Sequence, residues 1–193
     1  GIGKAVAMEL ASMGCNVTLV ARNEESLKKT KSELPTNDNQ AHSYLCVDFT
    51  DQVKLKELIE AFVQRTGPVN ILINNTGGPA AGPANTAKTE EFINAFNQHL
   101  ICNHILVQAC MEGMKNSGYG RIINIISTSV KQPLPNLGVS NTIRAAVANW
   151  SKTLANELAK FHITVNNVLP GATATQRLSS IIDNKALKTN ATN

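Results

Sequence analysis

The chain has 193 residues, 42% of them hydrophobic and 17% charged, with a formal net charge of +4. That is the length of one ordinary domain and the composition of a globular protein, which excludes a disordered or fibrous chain. Lys28, Lys29, Lys31, Lys54 and Lys56 are scattered and aromatics make up only 4%, so neither a basic arm nor a stacking platform for nucleic acid is expected.

The chain opens on Gly1-Ile2-Gly3 and goes straight into a helix with Val6, Leu10 and Met13 on one face and Gly14 as its stop. Glycines that open a helix usually follow a strand, so a preceding strand is expected outside this sequence. Cys15–Val20 reads as a short apolar strand closing on Ala21-Arg22-Asn23. Asn23 caps a helix over Glu24–Leu34, which Pro35 stops. A turn at Asn37-Asp38-Asn39 leads to a strand over Ser43–Val47, closing on Asp48-Phe49-Thr50. Thr50 is expected to cap the next helix, whose Leu55, Leu58, Ile59 and Phe62 form one apolar stripe before Gly67-Pro68. Val69–Ile73 is a buried strand closing on Asn74-Asn75-Thr76-Gly77-Gly78-Pro79. A Gly- and Pro-containing loop follows, then a single long helix over Thr89–Lys115.

Ile122–Ile126 is a continuous apolar run, as in a strand buried on both faces of a parallel sheet, and it ends on the hydroxyl of Ser127. Pro133, Pro135 and Gly138 break the chain, and a helix over Ser140–Lys160 follows, with Ile143, Val147, Trp150, Leu154 and Leu158 on one face. Ser140 and Arg144 share a face of its first turns. Either the loop returns that face to Ser127, or Ser140 only caps the helix. Ile163–Leu169 is a last strand closing on Pro170-Gly171, and the polar tail carries a weak helical patch at Leu178–Ile182.

Strand and helix alternate throughout, which predicts an α/β fold: a doubly wound parallel sheet in a three-layer αβα sandwich, forming one domain over residues 1–193. Arg22, Asp48, Asn74–Gly78, Ser127 and Pro170-Gly171 all fall at strand carboxyl ends, the edge where such sheets hold ligands. No stretch has the apolar length of a membrane span and no signal peptide is read, so no membrane partner is expected. The cysteines, Cys15, Cys46, Cys102 and Cys110, lack CxxC spacing, as in a cytoplasmic protein with reduced thiols.

These residues resemble the short-chain dehydrogenase/reductase family, and in particular its 3-oxoacyl-carrier-protein reductase-like members. Gly1-Ile2-Gly3 resembles the end of TGxxxGIG. Asn74-Asn75-Thr76-Gly77 resembles NNAG, with Thr for Ala. Gly120–Ile125 followed by Ser127 resembles the strand before the catalytic serine, and Asn166–Gly171 resembles the strand and PG turn beside the nicotinamide. The resemblance implies a Rossmann fold cut at both ends, a nicotinamide cofactor, a small carbonyl or acyl substrate, and a homodimer or homotetramer built through the long helices. It implies cofactor contacts from Gly1, Ile2, Gly3, Asp48, Phe49, Asn75, Thr76, Gly77, Arg144, Pro170, Gly171, Thr173 and Thr175. Glycines before a helix N-terminus suit a pyrophosphate. Arg22 stands where an acidic residue would bind the ribose of NAD, and a guanidinium suits a 2′-phosphate, which favours NADP(H). The alternative for Arg22 is a solvated surface charge.

The departures fall in the catalytic set. The family's serine is matched by Ser127, but its YxxxK, thirteen residues on, reads Ser140 and Arg144 here, and its Asn falls on His99. A serine hydroxyl is a weaker acid than a phenol, and Arg144 cannot give up a proton. An imidazole ordinarily titrates near neutrality, so His99 could feed a water chain, or it is a satisfied core histidine. The chain resembles a divergent, reductase-like subgroup in which both the nucleotide motif and the tetrad are imperfect. Two functions follow: an NADP(H)-dependent carbonyl reductase using Ser127, Ser140, Arg144 and His99 without a metal, or a dinucleotide-binding sensor or scaffold with impaired catalysis.

Overall fold

The helix expected after Gly3 runs Ile2–Ser12 (α1) and ends where Gly14 takes a φ of +92°, a left-handed conformation open to glycine. Its small-residue face, Ala7 and Ala11, is buried with Leu34, and Met8, Val17 and Leu19 pack around them. The computed structural model describes residues 1–37, 39–175, 178, 179 and 182. It falls into two compact units, Gly1–Asp48 with the residues from Ala172 on, and Phe49–Gly171.

In the first unit, β1 (Thr18–Ala21) pairs in parallel with β2 (Ser43–Cys46), Thr18 opposite Ser43 and Ala21 opposite Cys46. The crossover is α2 (Glu24–Glu33), which starts as expected: the Asn23 side chain accepts from Ser26 N at 2.8 Å. β1 is shorter than Cys15–Val20. Several backbone groups before it are taken by side chains rather than by a ladder. Gln40 Nε2 donates to Ala11 O and Cys15 O, and Val17 N donates to His42 Nδ1 at 3.1 Å. The turn at Asn37-Asp38-Asn39 rests on Asp38, which lies outside the described residues, as do Ser180 and Ile181 of the Leu178–Ile182 patch.

The second unit opens with α3 (Gln52–Thr66). Its cap is Asp51, not Thr50. The Asp51 carboxylate accepts from Lys54 N at 3.0 Å, and a charged acceptor at a helix N-terminus also gains from the macrodipole. Three strands, β3 (Ile71–Asn74), β4 (Gly120–Ile125) and β5 (Ile163–Val168), form a parallel sheet in the order β3-β4-β5. Asn74 lies opposite Asn124, and Asn124 opposite Asn167.

The single helix expected over Thr89–Lys115 is instead three pieces: α4 (Thr89–Phe96), a π-helical segment (Asn97–Ile101) and α5 (Cys102–Ser117). A π turn adds a residue and rotates the helix phase. Ala95 of α4 can then face Val139 and Ile143, while Val107, Cys110 and Met114 of α5 face Ile122, Ile163 and Val165 of the sheet. One unbroken phase would serve only one of these two surfaces. The last helix, α6 (Gly138–Leu158), begins two residues before Ser140, supplies Leu154 and Leu158 to the same core, and is followed by a 3₁₀ turn at Ala159–Phe161.

A polar thread crosses this apolar interior. Asn74 Nδ2 donates to Asn124 Oδ1 at 2.8 Å, Asn124 Nδ2 to Ser151 Oγ at 2.9 Å, and Ser151 Oγ to Val147 O at 2.7 Å. It joins β3, β4 and α6, and at this depth each bond is costly to leave unmade.

Candidate active site

The apolar run of β4 delivers Ser127 to the strand's carboxyl end, half-buried and in extended backbone. Its Oγ accepts from Ser129 N at 3.1 Å, so Ser127 opens the 3₁₀ turn Thr128–Val130. The end of β5 is tied beside it. Ile126 N donates to Val168 O at 2.9 Å and Thr128 N to Pro170 O at 3.2 Å. Ser127 and the Pro170-Gly171 turn are therefore brought together, as the order of strands predicts. A Cβ built at Gly171 would only touch Thr128, at 3.9 Å, so its neighbourhood is open.

Arg144 does return to this strand end. It is 9% exposed, and its Nη1 donates to Ile125 O at 2.9 Å, two residues before Ser127. Its Nη2 reaches Thr76 O at 3.5 Å, in the loop after β3. A guanidinium presents its donors in a planar fork, and here the fork joins the ends of two adjacent strands. His99, only 1% exposed inside the π-helical segment, meets the same residue: its Nδ1 is hydrogen-bonded to Thr76 Oγ1. Of the expected catalytic set, His99 and Arg144 thus converge on Thr76.

Ser140 is 7% exposed and lies inside α6. It does not cap that helix; the N-cap residue is Leu137. The loop ahead of α6 is fixed by an isolated parallel bridge, with Gly82 N donating to Asn136 O at 2.7 Å and Gly138 N to Gly82 O at 2.9 Å. Asn75 and Gly77 are exposed, whereas Phe49 is half-buried, its carbonyl accepting from Cys102 Sγ at 3.2 Å.

The expected cofactor residues of the first unit sit at its strand and helix ends. α1 begins without a side-chain cap and without an acidic residue in its first turn, so the local dipole is not neutralised by the chain's own carboxylates. Arg22, past the end of β1, pairs with Asp48, past the end of β2, at 3.9 Å, and its side chain is 79% exposed. Such a pair holds the guanidinium weakly and leaves it accessible. Thr173 is exposed, while the Thr175 hydroxyl accepts from Leu178 N at 3.4 Å and so caps a turn. The donors at the start of α1 and at Arg22, both in this unit, fit a dinucleotide carrying an extra phosphate. Among the described residues no group of His, Cys, Asp and Glu could hold a metal.

The sequence reading missed the Thr76–His99 contact and the Asn74–Asn124–Ser151 thread. Thr in place of Ala within Asn74-Asn75-Thr76-Gly77 was the available signal for the first. An apolar strand interrupted by one buried polar residue, Asn124, was the signal for the second.

Comparison with known proteins gives the class. The family model for short chain dehydrogenase matches residues 1–186. The chain is 32% identical over 185 residues to a 3-oxoacyl-acyl-carrier-protein reductase of Haemophilus influenzae, covering 95% of this chain and 74% of that protein. Among solved structures, YwfH, described as an NADPH-dependent reductase involved in bacilysin biosynthesis, superposes with a TM-score of 0.91 at 29% identity, covering 97% of this chain and 74% of YwfH. Actinorhodin polyketide ketoreductase with NADPH superposes with a TM-score of 0.88 at 31% identity, over 96% of this chain and 72% of that one. The chain belongs to the short-chain dehydrogenase family and is by class an oxidoreductase with that family's Rossmann fold.

Proposed function

We propose that the protein is an NADPH-dependent carbonyl reductase, 3-oxoacyl-carrier-protein reductase-like, working with an altered catalytic set. The observation that carries the reading is the Ser127 hydroxyl at the end of β4, held beside the Pro170-Gly171 turn with Arg144 anchored two residues upstream. Ser127 Oγ–H donates to the substrate carbonyl oxygen and stabilises negative charge as it develops there. Arg144 lends a fixed positive charge to that strand end but releases no proton. The proton comes from the Ser140 hydroxyl or from water, since the family's tyrosine is replaced by Ser140. The reduced nicotinamide, when bound, supplies the hydride. Arg22, through its exposed guanidinium, takes the 2′-phosphate, and the free N–H groups of α1 take the pyrophosphate. The named relatives that act with NADPH support the choice of cofactor.

Steady-state NADPH oxidation against simple β-keto and α-diketone substrates tests this reading. Turnover above the substrate-free rate supports it, and its absence on every substrate, with NADPH binding intact, overturns it. That second outcome is the signature of the alternative, a dinucleotide-binding sensor or scaffold. One observation favours the alternative: the Arg144 guanidinium is engaged by two backbone carbonyls rather than left open as a lysine ammonium would be. Assembly into a homodimer or homotetramer is part of the same proposal. The exposed Ile93 and Phe96 on α4 support it, and sedimentation equilibrium measures it.

A further inference from the structure

We propose that Thr76 is a positioning residue for this site, whose hydroxyl sets the His99 ring and whose carbonyl takes Arg144. The inference rests on the reductase reading for its kinetic consequence but not for its geometry. Three of the four positions at which the chain departs from its family's pattern are Thr76, His99 and Arg144, and they meet at one residue. Thr76 Oγ1 is bonded to His99 Nδ1, and Thr76 O lies 3.5 Å from Arg144 Nη2. His99 is 1% exposed and Arg144 9%, while Thr76 is half-buried, so both bonds are partly shielded from water. An alanine at position 76 would keep the carbonyl but offer nothing to the imidazole.

The three partners come from separate elements. Thr76 follows β3, His99 sits in the π-helical segment and Arg144 is on α6. Such a segment inside a long helix is uncommon and frequently marks a functional site. Here it carries His99 to the loop after β3. The loop Asn75–Gly77 is then held through both the side chain and the backbone carbonyl of Thr76, while Asn75 and Gly77 stay exposed. Thr76 fixes which ring nitrogen of His99 is engaged and the ring's orientation, a role played by the hydrogen-bond partner of any functional histidine. Changing residue 76 changes what His99 can do without touching His99.

The test uses the full chain labelled with ¹⁵N-histidine and three variants, Thr76→Val, Thr76→Ser and His99→Asn. Valine keeps the branched shape and loses the hydroxyl; serine keeps the hydroxyl. The His99→Asn spectrum identifies the His99 ring signals among those of His42, His104 and His162. The expected result is that Thr76→Val shifts the His99 ring nitrogens while the other three histidines stay put, and that Thr76→Ser restores them. Unchanged His99 signals in Thr76→Val overturn the proposal whether or not the protein turns over NADPH. In the kinetic arm, Thr76→Val lowers kcat/KM about 5- to 10-fold, as expected for one lost buried hydrogen bond. Thr76→Val combined with His99→Asn is no worse than His99→Asn alone, because the two act as one unit. Multiplying effects in that double variant would contradict the coupling. A wild type without turnover would defeat the reductase reading alone and leave the spectroscopic result standing.

Discussion

Arg22 and Ser127 carry the most specific expectations at the scale of single residues. Arg22 lies 3.9 Å from Asp48 with its side chain 79% exposed, so removing it sacrifices little stability. Arg22→Ala should weaken NADPH binding by roughly 10-fold or more, the loss of one charge-assisted contact, and leave NADH nearly unchanged. Titration of both cofactors by fluorescence measures it, and equal losses for the two would remove Arg22 from the 2′-phosphate site. Arg22 and Ser127 were legible because each stands at a strand end, and strand ends are read from apolar runs. The partners of His99 and Arg144 were not legible in the same way. Thr76 and His99 are 23 residues apart and Thr76 and Arg144 are 68 apart, so nothing in the local pattern brings them together.

At the scale of elements, strand and helix existence followed from periodicity, while boundaries and breaks followed from tertiary partners. α2 keeps its expected Asn23 cap, and α3 keeps its expected apolar face, with Leu55, Ile59 and Phe62 buried. α3 nevertheless starts from Asp51 rather than Thr50, because both residues suit a cap and only backbone geometry decides between them. The π-helical segment was invisible for a related reason: Asn97–Ile101 has ordinary helical composition, and its extra residue answers to two packing surfaces. Gly138 illustrates a constraint of the same kind. A Cβ there would stand 2.3 Å from Ala84 N and 2.5 Å from Ala84 Cα, both backbone atoms of the bridged loop. Gly138→Ala should therefore destabilise by about 1–3 kcal/mol, read as a lowered urea midpoint at unchanged slope. Ser151→Ala should cost a similar amount, about 1–3 kcal/mol, by leaving Asn124 Nδ2 buried and unmet.

At the scale of the molecule, the chain is an α/β oxidoreductase whose interior is largely apolar, and its buried thiols report on that interior. Burial pushes the Cys110 thiol from its ordinary 9.0 up to about 11. The folded state thus holds the proton more tightly than the unfolded one. Stability is full below pH 9, the unfolded value, and falls as pH rises from 9 toward 11, by on the order of 2–3 kcal/mol. Urea melts at pH 8 and pH 10.5 measure this, and Cys110→Ala should flatten the difference. Native thiol titration at pH 8 should label the half-buried Cys15 and Cys46 before Cys102 and Cys110. No described helix is long and apolar enough to cross a membrane, in line with the mean composition.

The central claim is that Ser127 does chemistry although the tyrosine and lysine of its family are replaced by Ser140 and Arg144. Ser127→Ala removes one hydroxyl from the end of β4 and, with it, only the cap of a short turn through Ser129 N. Single-turnover NADPH oxidation, with excess β-keto substrate, by wild type and Ser127→Ala tests the claim most directly. The account predicts a rate lower by about 10²–10⁴-fold in the variant, with NADPH affinity nearly unchanged. Superimposable traces from the two proteins would contradict it and leave the dinucleotide-binding reading in its place.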